Sequence, residues 1–125
     1  MNTSPSILVV EDDPDVRKML VRHLTHHGFH VMEAADGMEG LQKVEAGGFD
    51  LVITDIVMPY VSGIGIVARV KKHRPETPVI AITGYGKEPE ALADESKANL
   101  VMGKPVRMAD LMAHVRRLLE EAHGG

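Results

Sequence analysis

The chain has 125 residues, of which 44% are hydrophobic and 26% charged, and its formal net charge is −4. This length suits one domain with a buried core, and the acidic balance argues against direct nucleic-acid binding, which needs a basic face. Because the chain has no Cys and no apolar stretch near the roughly 18–20 residues of a membrane span, we expect a cytoplasmic protein that contacts no membrane.

The hydrophobic pattern predicts short buried strands that alternate with amphipathic helices. Apolar runs stand between turn signals and helical patterns, as is typical of strands in a parallel sheet. The predicted strands are ILVV at 7–10, HVMEA at 30–34, DLVIT at 50–54, PVIAI at 78–82 and the short NLVM at 99–102.

The first two predicted helices carry clear start signals. Asp13 suits the N-cap of the first helix and Pro14 its first turn, and Gly28 ends this helix. Asp36 and Glu39 resemble a capping box for the second helix. Each helix would therefore follow its strand after a short turn, as in a repeated strand–helix unit.

The later helices differ in the strength of their signals. Ser62 is expected to cap a third helix, whereas the segment 84–98 is the weakest candidate because Pro89 fits only in its first turn. The repeated units predict an α/β fold, a doubly wound parallel sheet in one domain spanning 1–125 with a core of about 6–122. The last helix carries apolar residues on one face, namely Met108, Leu111, Met112, Val115, Leu118 and Leu119.

Polar residues stand directly after three of the five predicted strands and one residue beyond the end of a fourth. They are Glu11 and Asp12, then Asp55, Thr83 and Lys104. Because ligands bind at the carboxyl ends of strands in open α/β sheets, we expect these side chains to meet at one edge. Clustered carboxylates suit Mg²⁺, and one of them, Asp55, can act as a nucleophile that forms an aspartyl-phosphate. Lys104 and Thr83 would supply a positive charge and a hydrogen bond to the phosphoryl group.

Five motifs carry a family resemblance that covers nearly the whole chain. They are ILVVEDDPDVRKML at 7–20, ADGMEGL at 35–41, DLVITDIVMPYVSG at 50–63, PVIAITGYG at 78–86 and KPV at 104–106. In this order they resemble a response-regulator receiver domain of the chemotaxis-regulator type, the phosphorylated module of two-component signalling. The resemblance implies a flavodoxin-like fold, in which five parallel strands in the order 2-1-3-4-5 are flanked by five helices.

The resemblance also implies how the acidic residues divide the chemistry. Asp55 matches the phosphoacceptor of the family. Glu11 and Asp12 match its acidic pair, with Asp12 as a direct Mg²⁺ ligand beside Asp55 and Glu11 acting through a water molecule. The backbone carbonyl of Val57 is expected to complete the protein ligands.

The other matches concern switching, and two departures stand out. Thr83 matches the switch hydroxyl and Lys104 the phosphate-pairing lysine, whose peptide bond to Pro105 is expected to be cis. Val101, however, occupies the position where receivers often carry Tyr or Phe. Lys97 stands where a Gly often precedes Ala, and the stretch from Thr83 to Lys104 is one residue short. The usual route of switching is therefore in question, while the phosphorylation chemistry is expected to be intact.

The leading interpretation is a receiver that takes a phosphoryl group from a sensor histidine kinase or a phosphotransfer protein and then switches a surface for an unknown downstream protein. As in other receivers, dimers could form through the fourth and fifth helices. One alternative is an unphosphorylated docking scaffold. Another is an aspartate-nucleophile phosphatase of the haloacid-dehalogenase type, which would need a second Asp where this chain has Val57. On the leading interpretation the protein is a signalling module that catalyses only its own phosphorylation and dephosphorylation.

Overall fold

The computed structural model describes residues 4–59, 61–84 and 97–123. One sheet contains five parallel strands in the order β2-β1-β3-β4-β5, as the sequence resemblance predicted. The strands are β1 (Ser6–Val10), β2 (His30–Ala34), β3 (Leu51–Asp55), β4 (Val79–Thr83) and β5 (Leu100–Gly103).

Four helices lie within the described ranges. They are α1 (Pro14–His26), α2 (Gly37–Ala46), α3 (Gly63–His73) and α4 (Met108–His123). The weak helix predicted within 84–98 falls almost entirely on residues 85–96, outside the described residues. Among the helices that are described, none combines the length and the apolar character that a membrane crossing requires.

Three strands run one residue further than the sequence pattern predicted. We expected them to end at residues 54, 82 and 102, but they end at Asp55, Thr83 and Gly103. The reason is that backbone pairing continues under polar side chains: Asp55 is in register with Ile82, and Thr83 with Gly103. Two predicted site residues therefore belong to the sheet itself and not to the loops that follow it.

The core consists of two apolar layers, one on each face of the sheet. Because side chains alternate along a strand, Ile7 and Val9 enter the layer beneath α1 and α4, while Leu8 and Val10 enter the layer beneath α2 and α3. The six apolar residues predicted on one face of the last helix all pack into the first layer. Burial on both faces is what a doubly wound parallel sheet requires.

The predicted helix starts are confirmed in two cases and corrected in one. The Asp13 carboxylate accepts hydrogen bonds from two first-turn amides of α1, and Asp36 accepts one from the Glu39 amide of α2. Ser62 stands at the N-cap of α3 without making a side-chain capping bond. Instead the Gly63 amide donates to the Ile56 carbonyl, so the loop backbone anchors this helix start.

Two backbone features bear on the departures noted in the sequence. The Lys104–Pro105 peptide bond is cis, as expected. Lys97 has a φ of +66°, which is the left-handed conformation that glycine adopts most easily. The residue thus keeps the backbone geometry suited to Gly, although it is a lysine.

Candidate functional site

Three carboxylates meet at the carboxyl edge of the sheet. Glu11 and Asp12 follow β1, and Asp55 ends the adjacent β3. Each offers an oxygen, and these oxygens all lie within 4.8 Å of one another. Glu11 and Asp55 are buried, whereas Asp12 is more exposed. The structure therefore brings together the three acids that the sequence pattern singled out.

The ammonium of Lys104 joins the acidic group from β5. Its Nζ atom lies 3.1 Å from Oδ2 of Asp55 and 3.4 Å from Oε1 of Glu11. The backbone holds this lysine in place, because the Lys104 amide donates to the Thr83 carbonyl at 2.8 Å. The acids and the lysine line an open cleft of about 420 Å³, together with Asp13, Val57, Met58 and Pro59.

Burial and charge shape the protonation of this site. Burial raises the pKa of Glu11 to about 7, with the negative charge of Asp55 adding to it and the Asp13 amide opposing it. Burial by itself would lower the pKa of Lys104, but the hydrogen bond and charge of Asp55 raise it above its usual value. The lysine thus remains an ammonium, while the acids carry more negative charge than one ammonium can balance.

The donor set fits a divalent cation. Oε1 of Glu11 is buried, and its ion pair with the Lys104 ammonium, at 3.4 Å, is too long to serve as a regular hydrogen bond. Leaving a buried carboxylate oxygen unsatisfied costs free energy. A hard cation bound by oxygen ligands removes this cost and the repulsion among the acids, and Mg²⁺ typically takes one or two carboxylates and keeps several waters.

Thr83 and Val57 lie at the same edge of the sheet, but Thr83 is buried and Val57 is exposed. Thr83 is buried at the end of β4, next to the residue paired with Asp55, so its side chain starts from the sheet beside the acids. Val57 is exposed in the cleft, and its amide lies 3.4 Å from Oδ1 of Asp55. The role of its carbonyl as a cation ligand stays a prediction.

Sequence reasoning missed Arg17, although the residue lies in a quoted motif. Its guanidinium donates from Nη1 to the Glu11 carbonyl at 2.8 Å and from Nε to Glu33 Oε1 at 3.0 Å. The available signal was an arginine one helical turn beyond the acids, with a glutamate near the end of the next strand. Such a pair has no fixed sequence spacing, so only the fold brings it together.

Sequence reasoning also missed an apolar groove beside the cleft. The helical spacing of Met19 is typical of a core position, but its side chain is 40% exposed. It instead forms part of a groove of about 480 Å³ that shares Lys104 with the acidic cleft. The other lining residues are Val16, Leu20, Ile82, Pro105 and Val106.

The position that often carries an aromatic residue is filled compactly in this chain. Val101 lies on β5 in register with Ala81 and is only 9% exposed. It packs with Ile56 and Ala81 in a small apolar cluster at the β4–β5 edge of the sheet. A small buried residue therefore stands where a ring would otherwise link the site to the outer face.

The fold and the site together define a receiver, and the comparisons with known proteins agree. The family model described as the response regulator receiver domain matches residues 7–116. This chain therefore belongs to the response-regulator receiver family, which consists of signalling modules and not of classical enzymes.

Relatives and solved structures support the same assignment. The chain is 32% identical to the response regulator receiver protein CpdR of Brucella abortus, over 90% of this chain and 95% of that protein. It is similar to a CheY-like receiver domain protein of Methanospirillum hungatei, with a TM-score of 0.91, 29% identity and 98% coverage of both chains. The Thermotoga maritima response regulator TrrA in complex with Mg(2+)-BeF gives a TM-score of 0.83 and 32% identity, over 91% of this chain and 98% of that one.

Other relatives are longer proteins. The transcriptional regulatory protein TcrA of Mycobacterium tuberculosis is 34% identical over 90% of this chain, which covers only 45% of TcrA. The chain thus spans about half the length, or less, of several regulators it matches. What those proteins do with their remaining parts is not carried over to this chain.

Proposed function

We propose that this chain is a phosphorylation switch in which Asp55 accepts a phosphoryl group from a phosphohistidine on a sensor kinase or a phosphotransfer protein. The observation that carries the proposal is the contact of the buried Asp55 carboxylate with Lys104, at 3.1 Å, inside an acidic cleft. An acid–lysine pair at the end of a central strand supports this role, because it sets the proposed nucleophile and a positive charge side by side in one cleft.

Glu11, Asp12 and Asp55 are the side chains that would hold Mg²⁺, with Asp12 and Asp55 as direct ligands and Glu11 acting through water. When bound, the ion neutralises excess negative charge where the phosphoryl group arrives. The buried Oε1 of Glu11 supports this assignment, because its one cationic neighbour in the described part of the chain, the Lys104 ammonium, lies 3.4 Å away and forms no regular hydrogen bond with it. The Val57 carbonyl is proposed as the remaining protein ligand.

The transfer forms one bond and breaks another. An Asp55 oxygen attacks the phosphorus atom as the P–N bond of the phosphohistidine breaks, and the leaving imidazole takes the bonding electrons and a proton from solvent. Lys104 remains positively charged and can pair with the phosphoryl oxygens after transfer. Thr83, at the end of β4, is proposed to donate its hydroxyl to the phosphoryl group.

The apolar groove beside Lys104 favours a protein as the phosphoryl donor. A small phosphate compound needs only the acidic cleft, whereas the groove lined by Val16, Met19 and Val106 offers an apolar surface suited to a helix. Because Lys104 lines both the groove and the cleft, a helix seated in the groove can present its phosphohistidine directly to Asp55.

The primary test uses acetyl phosphate with Mg²⁺ and intact-mass spectrometry. The wild type should gain one phosphoryl group, and Asp55→Asn should gain none. Asp15→Asn, at an exposed position in the first turn of α1, is the matched control and should be modified like the wild type. Modification of Asp55→Asn to the same extent as the wild type would rule out Asp55 as the acceptor.

A second test separates the donor surface from the chemistry. Met19→Glu should slow transfer from a phosphohistidine protein by about tenfold, since a charge in an apolar contact costs at least about 1.4 kcal/mol. The same substitution should not slow phosphorylation by acetyl phosphate. Met38→Glu introduces the same change at a 52% exposed position on α2 and should slow neither reaction. Equal effects of both substitutions on transfer would argue against the groove.

Two alternatives from the sequence are weaker. A docking scaffold that is never phosphorylated does not need an unsatisfied buried carboxylate oxygen beside a lysine. The haloacid-dehalogenase chemistry needs an acid at position 57, where this chain exposes Val57 in the cleft. Location in the cytoplasm, absence of direct nucleic-acid contact and dimers through the last helices remain parts of the proposal.

A further inference from the structure

Arg17 joins three segments that meet behind the acidic cleft. The residue belongs to α1, its Nη1 atom donates to the Glu11 carbonyl at the end of β1, and its Nε atom donates to Glu33 on β2. Its side chain is only 15% exposed, whereas that of Glu33 is 51% exposed. A guanidinium suits this position because its planar group presents donors in fixed directions to two acceptors at once.

The local backbone explains why Arg17 reaches the site. Side chains of a helix lean toward its N-terminus, and the Arg17 amide donates to the Asp13 carbonyl at 2.9 Å, which fixes the first turn of α1. On the other side, the Glu11 amide donates to Ala34 of β2 at 3.1 Å. Both backbone groups of Glu11 are therefore held: its amide pairs with the Ala34 carbonyl, and its carbonyl, which begins the next peptide unit, accepts from Arg17.

That peptide unit is the one that joins Glu11 to Asp12. Because a peptide unit is planar, a fixed direction of the Glu11 carbonyl also fixes the amide and the Cα atom of Asp12. Asp12 is the most exposed of the three acids, so fewer packing contacts restrain its side chain. Its orientation depends on the backbone that carries it.

We propose that Arg17 is a positioning residue for the cation site, which orients Asp12 through the Glu11 carbonyl. This inference rests on the proposed function, since it assigns a role in Mg²⁺ binding. Arg17 does not touch the ion or the phosphoryl group. It holds the peptide that presents the Asp12 carboxylate.

Simple electrostatics predicts the opposite result. Removing a positive charge close to an acidic site should strengthen the binding of a cation. Loss of a group that holds a metal ligand in place instead weakens metal binding, typically by about 10–100-fold. The sign of the change in Mg²⁺ affinity therefore distinguishes positioning from charge.

The test is a calorimetric titration of the full chain with MgCl₂. Arg17→Gln should raise the Kd for Mg²⁺ by about tenfold. Arg22→Gln is the matched control, because Arg22 is exposed on the same helix and its loss changes the net charge equally. Its Kd should equal or fall slightly below that of the wild type. A Kd for Arg17→Gln that is unchanged or lower would overturn the inference.

A kinetic measurement gives a readout that general destabilisation would not produce. With acetyl phosphate, the Mg²⁺ concentration for half-maximal phosphorylation should rise about tenfold in Arg17→Gln. The rate at saturating Mg²⁺ should stay within about twofold, since Asp55 and Lys104 are untouched. A lower saturating rate with an unchanged Mg²⁺ requirement would contradict a positioning role.

Arg17→Lys keeps the proposal testable if Arg17→Gln fails to fold. Lysine retains the charge, but its single ammonium cannot hold both acceptors in the same geometry. Its Kd should exceed that of the wild type by several-fold, less than the roughly tenfold expected on full loss of the positioning group, and wild-type affinity would overturn the inference. If the wild type itself binds no Mg²⁺, the proposed function fails. If the wild type binds Mg²⁺ but the Arg17 variants bind it as Arg22→Gln does, the inference alone fails.

Discussion

Gly63 lies directly against the backbone carbonyl of Asp55, so that a β-carbon on this glycine would overlap the carbonyl oxygen and crowd Ile56. The contact closes the loop between β3 and α3, where the Gly63 amide donates to the Ile56 carbonyl at 2.9 Å. The strand end that carries Asp55, the proposed phosphoacceptor, is thus packed against the start of the next helix. A larger residue at position 63 must move one of the two.

Gly63→Ala should therefore lower both stability and phosphorylation. Overpacking of this kind typically costs about 1–3 kcal/mol, and displacement of the Asp55 backbone should slow the reaction with acetyl phosphate. Urea unfolding and the phosphorylation rate measure the two effects. Gly65→Ala is the control: its β-carbon would meet one methyl group of Val61, at 3.3 Å, which needs only a small shift of that methyl, so both properties should change far less than in Gly63→Ala.

The stability of the metal-free protein should depend on pH through Glu11. Its pKa rises from 4.5 in the reference state to about 7 in the fold, mainly through burial. A raised folded pKa means that the protonated form is the stabilised one. The contribution is complete below about pH 4.5 and is lost as the pH rises through 7, an effect of about 3 kcal/mol at most.

Chemical unfolding between pH 5 and 8, in EDTA, checks this effect. The free energy of unfolding of the wild type should fall across this range relative to that of Glu11→Gln, which cannot ionise at position 11. Saturating Mg²⁺ should remove the difference in slope, because the cation favours the carboxylate form. Parallel curves for the two proteins in EDTA would show that Glu11 does not titrate in this range.

Mg²⁺ should stabilise the unphosphorylated fold. A ligand bound only by the native state at ten times its Kd adds about 1.4 kcal/mol, or roughly 5 °C in melting temperature for a domain of this size. Asp12→Ala should abolish the shift, while Asp15→Ala, on the first turn of α1, should keep it. A wild-type melting temperature indifferent to tens of millimolar Mg²⁺ would exclude the site.

Lys97→Gly should stabilise the protein by about 0.5–1 kcal/mol. Lys97 has a φ of +66°, and this left-handed conformation costs a residue with a β-carbon about 1 kcal/mol or more, whereas Gly adopts it freely. The greater entropy of Gly in the unfolded chain offsets part of the gain. Lys97→Ala keeps the β-carbon and should give no gain, so equal urea midpoints for the two variants would contradict the argument.

The response to phosphorylation should centre on residues 84–98 and not on β5. Val101 is small and buried beside Ala81, so position 101 offers no ring to couple Thr83 to the outer face. Hydrogen exchange with and without beryllofluoride should change most in 84–98, the stretch with the weakest helix signals in the sequence. Thr83→Val should reduce that change. A response confined to β5 and α4 would show that Val101 does not interrupt the usual route.

The sequence predicted the fold well because the signals are local. Short apolar runs, the Asp13 cap and the apolar face of the last helix each depend on a few neighbouring residues, and all are found in the structure. The convergence of Glu11, Asp12, Asp55 and Lys104 followed from one rule, that strand ends of a parallel sheet share an edge. Their chemical roles stay predictions.

What the sequence did not predict depends on distant pairs. Arg17 and Glu33 are separated by most of α1, a turn and the first part of β2, and no periodic pattern relates them. Met19 has the spacing of a core residue, yet the neighbouring loop at Pro105 and Val106 leaves a groove in front of it. The predicted strands ended one residue too early because a polar residue was expected to end the backbone pairing. In the structure Asp55 and Thr83 are still paired with the neighbouring strands.

The shared position of Lys104 has a thermodynamic consequence for any partner. Its side chain borders both the apolar groove and the acidic cleft, and it contacts Asp55 directly. A group that changes its contacts on phosphorylation also changes the wall of the groove. By linkage, the factor by which phosphorylation alters the affinity of the groove for a partner equals the factor by which that partner alters the phosphorylation equilibrium. A donor that binds the groove less tightly after transfer therefore also lowers, by the same factor, the phosphorylation of the protein while it is bound.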